Sequence, residues 1–120
     1  MFTDPPTARL RTSTLRVVIV HDDPRACLAL ADALGTSFVV RLAHGADEMV
    51  AQLAPMDRLT CVVGVLTTTL RARDIHAKFT ACGGKPERLV FVTKNELASS
   101  PYALDETVAV VQRLGDRRFY

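Results

Sequence analysis

Four short apolar runs alternate with stretches in which apolar residues recur every three or four positions. Leu15–Val20 (LRVVIV) is β-branched and apolar almost throughout, as suits a strand covered on both faces. Pro24 follows Asp22 and Asp23, where it can open a helix that one of the two aspartates caps. Cys27, Leu30, Ala31 and Leu34 form that helix's apolar stripe, and Gly35 ends it. Phe38–Leu42 (FVVRL) predicts a second strand, followed by a turn at His44 and Gly45. The next helix carries Asp47 and Glu48 in its first turn, Met49, Val50 and Leu53 on its apolar face, and Pro55 at its end. Cys61–Leu66 (CVVGVL) is strand-like, with Gly64 inside it. Leu70, Ile75, Phe79 and Cys82 make a rougher helical stripe closed by Gly83 and Gly84. Leu89–Val92 (LVFV) predicts a fourth strand ending at Thr93. A last helix is expected from about Leu104, with Val108, Val111 and Leu114 on one face.

Strand–helix alternation with short connections predicts an α/β fold, a parallel sheet with helices on both faces. Sites in such sheets form at the carboxyl ends of the strands, so Asp22, Asp23, Gly64 and Thr93 are expected along one edge. The chain has 120 residues, enough for one core. Residues 1–14 lack periodicity and read as a flexible leader to a domain over 15–120.

Charge and composition narrow the function classes. The 15 Lys and Arg are nearly matched by 13 Asp and Glu, which gives no electrostatic case for nucleic acid, and Trp is absent. No apolar run approaches the roughly 20 residues that span a bilayer, and the first residues have no apolar core of a secretory signal. Three cysteines without CxxC spacing fit neither a disulfide framework nor a zinc site. These features favour a cytoplasmic protein with reduced core cysteines. His21 and His44 read as solvent-exposed loop histidines, and a His–Asp–Asp metal cluster lacks supporting spacing. The glycines before Lys85 do not complete a phosphate loop, and Arg113, Arg117 and Arg118 read as a solvated helix end.

The segments VVIVHDDPRACLALADAL, FVVRLAHGADEMVAQL, CVVGVLTTTL, RLVFVT and SPYALDETVAVVQRL, in this order, resemble the receiver (CheY-like) domains of two-component response regulators over about residues 15–115. The resemblance implies a flavodoxin-like, doubly wound sheet of four to five parallel strands. In that family an acidic pair and an acceptor aspartate hold a divalent metal. The acceptor takes a phosphoryl group, and a threonine and a lysine bind its oxygens. Asp22, Asp23 and Thr93 match three of those positions. Gly64 stands where the acceptor belongs, Ser100 where the lysine belongs, and Thr68 where a proline is usual. Seven residues, 94–100, separate Thr93 from Pro101, whereas a crossover between parallel strands takes a dozen or more. The fourth helix is therefore expected to be deleted and the fifth strand lost or rebuilt.

The resemblance thus implies a degenerate, phosphorylation-independent receiver in bacterial signalling that meets protein partners, without nucleic acid, membrane or small-molecule substrate. A homodimer on the fourth strand or the last helix is expected. Asp22 and Asp23 read as a relict pair, and magnesium binding there is weakened by the loss of the third carboxylate. The alternative is a small magnesium-dependent enzyme using Asp22 and Asp23, with His21 as the one candidate base.

Overall fold

A computed structural model describes residues 16–53 and 60–116. The predicted leader, Pro55, Arg117 and Arg118 lie outside the described residues. Four strands, β1 (Arg16–His21), β2 (Val39–His44), β3 (Thr60–Leu66) and β4 (Leu89–Thr93), form an all-parallel sheet in the order β2-β1-β3-β4. The helices are α1 (Leu28–Gly35), α2 (Gly45–Gln52), α3 (Ala72–Ala81), α4 (Lys94–Ser99) and α5 (Pro101–Asp116). A 3-10 turn over Pro24–Cys27 precedes α1.

The central strands are buried on both sides, which is why β1 and β3 read as nearly unbroken apolar runs. Alternate residues feed two cores. Val17, Ile19, Cys61, Val63, Val65 and Val92 pack with Leu30 and Leu34 of α1 and with Ala103, Val111 and Leu114 of α5. Val18, Val20, Ala43 and Val62 pack with Met49 of α2 and with Ile75 and Phe79 of α3. Helices therefore cover both faces, consistent with a doubly wound sheet. At the outer edge, β2 leaves Val39 and Arg41 exposed and buries Ala43. No helix among the described residues is long and apolar enough to cross a membrane.

Several boundaries differ from the sequence expectations. His44 does not form a turn: it completes β2 opposite His21, and Gly45 alone, at φ 84°, turns the chain into α2. His21 is a strand residue only 4% exposed, not a loop histidine. Leu15–Val20 had hidden this, because a polar residue closing an apolar run looks like the start of a loop. The segment between β4 and α5, where the resemblance implied a deleted helix, is helical. Six residues still form α4, because Thr93 and Glu96 make a capping box. Among the described residues there is no fifth strand; α4 leads through Ser100 directly into α5. That last helix starts three residues before Leu104, since Pro101 suits a first helical position. It docks through Ala103, Thr107, Val111 and Leu114, and the Thr107 hydroxyl donates to the Ala103 carbonyl at 2.7 Å.

Candidate functional site at the carboxyl edge of the sheet

The ends of β1, β3 and β4 enclose an open cleft of about 490 Å³. Asp22 follows β1, Thr67, Thr68 and Thr69 follow β3, and Thr93, Lys94 and Asn95 close the far side. A second hollow of about 430 Å³ adjoins it across Asp22 and Thr69, and runs over Gly45, Asp47, Asp74 and Lys78. Lys78 pairs with Asp47 there.

Asp22 is tied to the threonine loop. Its Oδ2 accepts from the Thr67 hydroxyl at 2.5 Å and from the Thr69 hydroxyl at 2.6 Å. The Thr67 oxygen also accepts the backbone N–H of Leu70 at 3.1 Å, so the loop is closed by its own first residue. These two hydroxyls hold the Asp22 carboxyl below the ordinary carboxylate range, with Thr67 the stronger influence. Asp23 turns elsewhere. Its Oδ1 caps the 3-10 turn by accepting the Arg25 N–H at 3.1 Å, and its Oδ2 lies 3.2 Å from the Lys94 ammonium. Lys94 first, and then the Arg25 N–H, lower the Asp23 pKa. One aspartate is thus a cap, as expected from the sequence, but the pair does not act as a pair.

Thr93 is committed as well. Its hydroxyl accepts the Glu96 N–H at 3.0 Å and donates to Glu96 Oε1 at 3.0 Å, while its own N–H donates to the same carboxylate oxygen. The backbone and hydroxyl donors of Thr93 lower the Glu96 pKa. Ser100 lies between α4 and α5, outside the residues that line the cleft. The cation in the cleft is instead Lys94, directly after Thr93.

Gly64 pairs with Val20 on one side and Phe91 on the other, two residues short of the end of β3. It is buried, and a Cβ there would come within 2.9 Å of both Ile75 Cδ1 and Phe91 Cδ1. Side chains of α3 and β4 therefore fill the space that any residue larger than glycine would need. Of the four residues expected along the edge, Asp22, Asp23 and Thr93 reach it, and Gly64 lies below it within the sheet.

The acidic pair does not fit the magnesium ion that the family resemblance implies. Asp22 gives one oxygen to two hydroxyl donors, and Asp23 gives both of its oxygens to an N–H and an ammonium. Among the described residues no three His, Cys, Asp or Glu side chains gather where they would hold an ion. Of the buried thiols, Cys61 is pushed up to about 12 by burial and stays protonated.

Sequence reasoning missed three participants. Nothing in the sequence pattern marks Thr67 and Thr69 as partners of Asp22, or Lys94 as a partner of Asp23. Their common signal is position: each lies within three residues after the carboxyl end of a predicted strand. Comparison with protein-family models, with curated proteins and with solved structures finds no match to this chain.

Proposed function

We propose that the chain is a flavodoxin-like, receiver-like module without phosphoryl chemistry, which works through protein contacts in bacterial two-component-type signalling. The observation that carries this reading is the lining of the cleft beside Asp22: β3 reaches it with Leu66 and the chain continues with Thr67, Thr68 and Thr69, none of them a carboxylate, while Gly64, the position the resemblance gives to the acceptor, lies below the edge under Ile75 and Phe91. Its neighbours support it. Asp22 is occupied with Thr67 and Thr69, Asp23 with Lys94, and Thr93 with Glu96. Without a transferable group, only differential binding of a partner can bias such a module between conformations.

The contact surface favoured is the free edge of β4. Among the described strands β4 pairs only with β3. Its residues, LVFVT, contain no charge, proline or glycine, the devices by which sheet edges are usually kept from pairing. Phe91 is 37% exposed there, and Leu89 and Val90 are half-buried. An antiparallel pair of β4 strands about a two-fold axis at Phe91 would continue the sheet into a second copy. Light scattering after size exclusion tests this, with and without acetyl phosphate and Mg²⁺. A dimer that persists in both conditions and dissociates in Phe91→Lys is expected. A monomer at high micromolar concentration, or assembly that appears only with the phosphodonor, would contradict the proposal.

A further inference from the structure

We propose that His21 and His44 form a two-imidazole site for a borderline divalent transition-metal ion of the zinc, copper or nickel class. This site is separate from the threonine cleft and does not depend on the receiver-like reading. The two histidines are the last residues of adjacent parallel strands and sit opposite each other in register. Their ring centroids are 5.6 Å apart, with the rings nearly perpendicular. A metal–imidazole bond of about 2.0–2.1 Å places a ring centroid about 3.2 Å from the ion, so two rings on a tetrahedral ion lie about 5.2 Å apart. The observed spacing is within a few tenths of an ångström of that arrangement before any ring moves.

A second observation points to a ligand. His21 is only 4% exposed, and its Nδ1 is buried with no hydrogen-bond partner. Buried nitrogens are normally satisfied, and an unpartnered one is a candidate for a bound ion. His44 is exposed, which leaves the pair open to solvent from one side. Glu48, Asp22 and Asp23 supply negative potential around the His21 ring. Glu48 is placed by accepting the His44 N–H at 3.0 Å. Imidazole donors select zinc, copper and nickel over magnesium and calcium, which prefer oxygen. With two protein ligands, water completes the coordination shell.

The test uses the whole chain, stripped with EDTA and titrated with ZnCl₂, NiCl₂ and MgCl₂ by calorimetry and by NMR of the imidazole resonances. Saturable binding of one Zn²⁺ or Ni²⁺ per chain is expected, with shifts at His21 and His44 and no saturable response to Mg²⁺ at either ring. His44→Ala removes an exposed ring and should weaken binding at least tenfold while circular dichroism remains that of the parent. His21→Gln should do the same, whereas His76→Ala and Cys82→Ser should not. Absence of saturation at micromolar ion, or affinity that survives His44→Ala or is lost in His76→Ala or Cys82→Ser, would overturn the proposal.

Discussion

Replacing Gly64 tests how closely α3 and β4 pack over the middle of β3. Glycine inside a strand is disfavoured relative to alanine by roughly 0.5–1 kcal/mol, so Gly64→Ala gains that much in the absence of contacts. Here the added Cβ meets Ile75 Cδ1 and Phe91 Cδ1 at 2.9 Å, and forcing extra atoms into a packed core costs about 1–3 kcal/mol. The expected balance is a loss of about 1 kcal/mol, read as a lower urea midpoint at unchanged slope. Gly64→Asp adds a carboxylate to the same buried position, where an uncompensated charge costs roughly 3–5 kcal/mol more. That is a large part of the total stability of about 5–15 kcal/mol typical of a domain, so G64D should be largely unfolded or destabilised throughout. Ile75→Val provides the control, because it deletes the Cδ1 atom itself. In the parent it should cost about 0.5–1.5 kcal/mol, and in the Gly64→Ala background clearly less, because the same deletion relieves the clash. Additive energies in this cycle would refute the packing argument. So would a G64D chain as stable as the parent that takes up phosphate.

Two further perturbations probe the other ends of the cleft. Thr93→Ala breaks the capping box and should lower stability by about 1 kcal/mol in urea unfolding, with fast amide exchange confined to α4; a switch-like role for the hydroxyl would instead leave stability unchanged. Asp22 has a depressed folded pKa, so its contribution is fully present above the unfolded carboxylate value of about 3.9 and is lost as pH falls through the folded value. Asp22→Asn and Thr67→Val should each flatten the acid limb of a stability–pH curve below about pH 4, and leave its shape near neutrality unchanged.

How much was legible in the sequence depends on how local each cause is. The β-branched runs of β1, β3 and β4 and the stripe of Leu30 and Leu34 announce themselves through burial on a fixed period. Parallel pairing follows from the alternation. Helix α4 was lost because a count of residues excludes a long crossover but not a six-residue helix, and the Thr93–Glu96 capping box was the missed local signal. At the site, Asp23 as a cap is local chemistry, two residues from its Arg25 N–H partner. The link from Asp22 to Thr67 and Thr69 spans some 45 residues and arises only when β1 and β3 lie side by side. Lys94 reaches Asp23 in the same way. Burial of His21 depends on β2 extending to His44, a property of the pair of strands and not of either run alone.

Phosphoryl uptake remains the most direct measure of the account. The whole chain, incubated with acetyl phosphate and Mg²⁺, quenched cold in mild acid and analysed intact by mass spectrometry, should show no phosphoryl adduct at any time. A stoichiometric, acid-stable but base-labile adduct mapped to Asp22, Asp23 or another aspartate at the carboxyl edge of the sheet would contradict it.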